Sequence, residues 1–203
     1  MDTKLQGVVA GLATQVDTKA GQRPYINLDN AATTPPFVSV MEAINSFVPW
    51  YSSVHRGNGL KSRLSTDALE QARDVVSRFV GANPSDHVVI FGKNTTEAIN
   101  KLAYRLALRR RDIVLISNLE HHSNDLPWRA HATVKRIALT AEGGIDTADF
   151  TAKLARYGSK IKLVAISGAS NVTGHMPDIH WFARKAHGVG AHIFVDCAQL
   201  AAH

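Results

Sequence analysis

Short, largely apolar runs alternate with amphipathic stretches along most of this chain. The runs 87–91, 113–116, 134–139, 161–166 and 192–195 have the length and β-branched content of strands covered on both faces. Between them, 95–108, 123–131 (with Pro127 near its start), 146–157 and 177–187 carry apolar residues at helical spacing. Upstream, Pro35-Pro36 opens a helix with apolar positions Val38, Met41, Ile44 and Val48, which Pro49 ends. Residues 62–80 predict a long helix with apolar Leu69, Ala72, Val76 and Phe79 at helical spacing and Gly81 just past its end. Tyr25 to Leu28 predicts a short strand, and 52–59 is a loop by composition. This alternation predicts an α/β fold, a mostly parallel sheet flanked by helices, with one large domain over 25–203 behind a weakly patterned N-terminal arm, 1–24. Ligands of such sheets gather beyond the carboxyl ends of the strands.

Composition narrows the picture. The 203 residues are 45% hydrophobic, enough for a substantial core. The net charge of +6 is dispersed; its densest run, Arg109 to Arg111, follows an apolar helical pattern and reads as a solvated helix end, not a nucleic-acid surface. The one cysteine, Cys197, cannot form an internal disulfide. Leu5 to Thr14 lacks the basic lead of a secretion signal, and no stretch is apolar enough to span a bilayer. The expectation is a soluble cytoplasmic protein with no nucleic-acid or membrane partner.

The strand ends carry the chemistry. After 87–91, Gly92 leads into a helix whose first turn holds Thr95 and Thr96; this is either a phosphate-binding helix N-terminus or simple capping by Asn94 or Thr95 with Glu97. Glu120-His121-His122-Ser123-Asn124 follows the next strand. Adjacent histidines point apart on an extended chain, so a metal site is not expected; an imidazole laid over an aromatic ligand or used as acid–base suits the position. Ser167 to Gly174 is small-residue chain that admits close backbone approach, with Asn171 as donor and acceptor, or an ordinary turn. Asp196, at the end of an apolar strand, needs a positive partner such as a protonated pyridine nitrogen, or else caps the next helix; Gln199 lies three residues on.

Taken in order, 28–33 (LDNAAT), 54–57 (VHRG), 95–100 (TTEAIN), 120–124 (EHHSN), 170–174 (SNVTG) and 195–199 (VDCAQ) resemble the class V aminotransferase group of pyridoxal-phosphate (PLP) enzymes, most closely its cysteine desulfurase and selenocysteine lyase branch. The resemblance runs from about residue 25 to the end. It implies the large domain of PLP-dependent fold type I. It also implies that Thr95 and Thr96 hold the cofactor phosphate and that His121 stacks on the ring and moves a proton. Asp196 would pair with the ring nitrogen, Gln199 would meet the phenolic oxygen, and Asn171 would lie near both that oxygen and the substrate. Asn30 and Ala31 would line the substrate entrance, with His55 and Arg56 on a nearby loop. The implied reaction takes sulfur from L-cysteine, leaving L-alanine and a persulfide for a sulfur-acceptor protein, in a homodimer. The Schiff-base lysine and the nucleophilic cysteine are expected beyond His203, so the chain alone is expected to be inactive, and Cys197 to fill space beside the ring. The family usually has glycine where Asn94 stands. An aminotransferase, epimerase or selenocysteine lyase of the same group, or an inactive dimerising module, are the alternative readings.

Overall fold

The computed structural model describes residues 7–203, so residues 1–6 of the expected arm lie outside it. The chain forms two compact units that divide between Ile90 and Phe91.

In the second unit, four parallel strands, β3 (Ile113–Ser117), β4 (Thr133–Ile137), β5 (Ile161–Ser167) and β6 (His192–Asp196), stand in the order β4-β3-β5-β6. The two central strands are buried almost throughout, which explains why their sequences are unbroken apolar runs. Helices α3 (Thr95–Arg105) and α4 (Leu126–His131) cover one face through Ile99, Ala103 and Trp128 on Val114, Ile116, Leu163 and Ala165. Helices α5 (Thr147–Tyr157) and α6 (Ile179–His187) cover the other through Phe150, Leu154, Phe182 and Ala186 on Leu115, Val164 and Ile166. The α/β expectation therefore holds here as a three-layer unit with every strand's carboxyl end on one edge.

Local signals set the helix ends. Asp146 caps α5 by accepting from the Ala148 and Asp149 amides, and Asp178 caps α6 by accepting from Trp181. The helix expected to reach Leu108 stops at Arg105, because Ala107 turns into the left-handed region at φ 48°; Arg109 to Arg111 thus sit in the loop before β3. The helix expected over 123–131 is split: a 3-10 turn at His122–Asn124, then α4 with Pro127 in its first turn.

The first unit holds a hairpin, β1 (Gln15–Thr18) and β2 (Gly21–Pro24), within the span expected to be unpatterned, then α1 (Val38–Phe47) and α2 (Leu60–Phe79). Two expected strands are absent. Residues 25–28 and 87–91 belong to no strand, with Leu28, Val88 and Ile90 more than three-quarters exposed. An apolar run becomes a strand only where a second strand takes its hydrogen bonds, and among the described residues none does. The two helices form where expected; α1 buries nothing, α2 buries only Ser62, Ser65 and Ser77, and Phe79 is 72% exposed. Ser62 and Ser65 staple the loop before α2 to the helix. The Ser52 amide donates to Ser65 Oγ (2.9 Å), Ser62 Oγ donates to the Ser53 carbonyl (2.7 Å), and the His55 amide donates to Thr66 Oγ1 (3.0 Å). Among the described residues no helix is long and apolar enough to cross a membrane.

Candidate cofactor site

The carboxyl edge of the parallel sheet gathers Ser117, Ser167 and Asp196 as the last residues of β3, β5 and β6. Asp196 is buried; its Oδ1 accepts from the Ala198 amide (3.0 Å), and its carbonyl accepts from the Gly168 amide (2.9 Å). That Asx turn fixes the carboxylate at the strand end. A Cβ on Gly168 would stand 2.6 Å from Leu200 Cδ2, so only glycine lets the β5 loop pack so closely on the segment that carries Gln199.

Glu120 ties the edge together. It accepts from Ser117 Oγ, from Ser167 Oγ (2.8 Å) and from Asn124 Nδ2 (2.6 Å), and Asn124 Oδ1 in turn accepts from buried Trp128 Nε1 (3.0 Å). Burial pushes its carboxyl above the ordinary value, although all three donors favour the ionised form. A raised folded-state value means that Glu120's contribution to stability is full below the unfolded value and is lost as pH rises through the folded one. Glu120→Gln, which can still accept from Asn124 and Ser167, is therefore expected to gain melting temperature relative to the parent on going from about pH 5 to about pH 8. Glu120→Ala leaves buried donors unpaired and is expected to cost about 1–3 kcal/mol. Thermal unfolding at the two pH values checks both; a Gln variant that loses melting temperature relative to the parent as pH rises would contradict the sign.

At the start of α3 the capping reading is correct in part: Asn94 Oδ1 accepts from the Glu97 amide (2.9 Å), while Glu97 reaches back to the Lys93 amide (2.6 Å). That contact, with Lys101 beside it, holds the Glu97 carboxyl below its ordinary value. The cap serves the third amide, so by helix geometry the Thr95 and Thr96 amides keep no partner within the helix. Capping and anion binding are compatible here. Thr96 Oγ1 lies 2.8 Å from Ser123 Oγ, which lies 2.9 Å from His121 Nδ1. The His121 and His122 rings are tilted by 45°, with centroids 6.1 Å apart.

Hydrogen bonds run from Thr96 through Ser123 to His121, and His121's chain neighbour Glu120 accepts from Ser167, whose β6 neighbour is Asp196. Exposed hydroxyls and free amides at one end, an exposed imidazole between, and a buried carboxylate at the other suit a flat ligand with an anionic group and a basic ring nitrogen, so the residues present fit PLP. Asn171 is exposed in the turn after β5, and Gln199 is half-buried after β6. Cys197 is half-buried, and burial together with Asp196 pushes its thiol up. Ser117 is a member of this edge outside the strand-end segments, and Glu120, Ser123, Asn124 and Ser167 lie inside them with no role of their own that the motifs alone assign.

Asn30, Ala31, His55 and Arg56 belong to the first unit. Asn30 Oδ1 accepts from Asn27 Nδ2 (2.6 Å), and its carbonyl accepts from Thr34 Oγ1 (3.0 Å). His55 adopts φ 57° and places Nε2 3.2 Å from Glu70. With Arg56, Arg63 and Asp67 it borders an open depression of about 650 Å³.

Residues 26–203 match the family described as "Aminotransferase class-V". A "Probable cysteine desulfurase" of Halalkalibacterium halodurans is 36% identical over 197 residues, spanning 93% of this chain and 48% of that protein. One from Methanothermobacter thermautotrophicus is 35% identical over 193 residues, covering 89% and 45%. The chain therefore spans about half the length of these curated relatives. The apo cysteine desulfurase of Thermococcus onnurineus superposes with a TM-score of 0.78 at 32% identity, over 86% of this chain and 44% of that one. A cysteine desulfurase of Escherichia coli gives 0.71 at 32% identity, over 87% and 45%. The architecture is that of PLP-dependent fold type I, and the chain belongs to the class-V aminotransferase family, closely related to the cysteine desulfurases.

Proposed function

We propose that this chain supplies the cofactor-holding part of a PLP-dependent cysteine desulfurase-like enzyme, one that takes sulfur from L-cysteine and leaves L-alanine. The observation that carries the reading is that two hydrogen-bonded groups, Thr96–Ser123–His121 and Glu120–Ser167 beside Asp196, meet at the adjacent residues His121 and Glu120. Bound PLP supplies an electron sink to the Cα of an amino acid. Thr95 and Thr96, with the leading amides of α3, hold its phosphate. His121 lies over the ring and holds a proton near Cα. Asp196 keeps the ring nitrogen protonated, Gln199 meets the phenolic oxygen, and Asn171 stands beside the substrate. Asn30, Ala31, His55 and Arg56 line the substrate entrance. Cys197 stays a thiol at neutral pH in this reading, because burial and Asp196 disfavour its thiolate, and so it is not the sulfur carrier. A homodimer that passes persulfide sulfur to an acceptor protein in the cytoplasm completes the reading.

The chain is expected to bind PLP reversibly, with induced circular dichroism in the ring's absorption band, and to bind pyridoxal without the phosphate at least about tenfold more weakly, the weight of roughly one charge-assisted hydrogen bond. Equal affinity for the two would sink the phosphate assignment. In the enzyme that contains this chain, alanine is expected to form in step with sulfide from L-cysteine; a keto acid formed in its place would favour transamination over desulfuration.

A further inference from the structure

We propose that Ser123 is a positioning residue that sets the tautomer of His121, through a hydroxyl relay that begins at Thr96. The donors fix the direction of the relay. A backbone N–H can only donate, and the Ser123 amide lies 3.2 Å from His121 Nδ1, so Nδ1 is an acceptor. Ser123 Oγ, 2.9 Å from the same nitrogen, must then give its proton to it. With that proton committed, Ser123 Oγ is the acceptor in its 2.8 Å contact with Thr96 Oγ1, and the Thr96 hydroxyl is the donor. The neutral imidazole therefore carries its only proton on Nε2, the nitrogen turned away from Ser123.

The sequence and the local fold explain why a serine is needed here. His121 is exposed, so the donors at Nδ1 add to the imidazole's own preference for a proton on Nε2. His121 caps the 3-10 turn His122–Asn124, and that turn brings Ser123's amide and hydroxyl to the same ring nitrogen. An alanine would keep the amide and lose the hydroxyl. The relay also joins two parts of the site. Thr96, on α3, and Ser123, 27 residues later, are held together by this bond, so the phosphate end and the ring end are positioned as one piece. The relay stands on geometry alone; its value for proton handling at Nε2 rests on the cofactor reading above.

The test needs no ligand. In protein labelled with ¹⁵N-histidine, long-range ¹H–¹⁵N correlation reads the protonation of each ring nitrogen, and the His121 signals are those missing from the His121→Gln spectrum. The parent is expected to show a bare Nδ1 and a protonated Nε2. Ser123→Ala is expected to shift the tautomer ratio about fivefold toward the Nδ1-protonated form, the weight of one hydrogen bond, and the two ¹⁵N shifts converge. Ser123→Thr keeps the hydroxyl and restores the parent pattern, and Thr96→Val moves the shifts in the same direction as Ser123→Ala but by less. A parent protonated at Nδ1, an Ala variant that superimposes on the parent, or a Thr variant no better than Ala overturns the proposal. Failure of PLP to bind would leave these shifts where they are, and would sink the cofactor reading alone.

Discussion

Replacing Asp196 with alanine is expected to weaken PLP binding by roughly ten- to a hundredfold, the range of a hydrogen bond to a charged group. Asp196 is only 7% exposed, at the end of a strand that follows Ile193, Phe194 and Val195, so its carboxylate has given up water on most sides. The Ala198 amide meets Oδ1, and a carboxylate can accept more than one further donor. A protonated ring nitrogen at the same edge would meet the rest and would gain strength from the low local dielectric. Asp196→Asn separates charge from shape, since its Oδ1 can still accept from Ala198 and keep the turn. It is expected to lose nearly as much affinity as the alanine variant while melting at the parent temperature. Titration with PLP and with an analogue whose ring nitrogen is replaced by carbon completes a double-mutant cycle. The parent should prefer PLP, and Asp196→Ala should not distinguish the two. If the alanine variant keeps the parent's preference, Asp196 does not face the ring nitrogen.

The central strands were legible because both faces are covered. Ile113 to Ile116 and Ile161 to Ile166 need no alternation, and their apolar runs have no other use. Tyr25 to Leu28 and His87 to Phe91 look alike on paper and are not strands, since pairing depends on a neighbour that a local run does not name. The same limit applies to α2, whose apolar spacing forecasts the helix but not what covers Phe79. At the site, His121 and Asp196 were candidates because they stand at or after strand ends, whereas Thr95 and Thr96 stand at a helix start that no strand directly precedes. Their supports could not be picked out. Ser123 and Ser167 are ordinary turn residues by type, and only bonds across 27 and 47 residues, Thr96 to Ser123 and Ser167 to Glu120, give them meaning, with Ser117 joining the same Glu120 from three residues away. The one available hint was a serine closing each of two apolar runs, where a hydroxyl must be satisfied once buried.

Those supports connect the site to the core, and Trp128 is where the connection is most exposed to test. Trp128 is fully buried, packs edge-on against Phe194 at 5.8 Å, and donates Nε1–H to Asn124, which in turn donates to Glu120. Trp128→Ala removes a large side chain from the layer between α3, α4 and the sheet and is expected to cost about 3–5 kcal/mol, a large share of an ordinary domain's total of about 5–15 kcal/mol. Trp128→Phe keeps most of the packing but leaves the buried Asn124 Oδ1 without its donor, at a cost of about 1–3 kcal/mol. The phenylalanine variant is the more informative of the two. If the indole holds Asn124, and Asn124 holds Glu120, then pairing Trp128→Phe with Glu120→Gln should give a combined loss that is not the sum of the two alone, because both act on one hydrogen-bonded chain. Denaturant unfolding followed by far-ultraviolet circular dichroism measures all four corners of that cycle. Strict additivity would mean that the Trp128–Asn124 bond stabilises only the core and that the strand-end carboxylate is oriented by its serines alone.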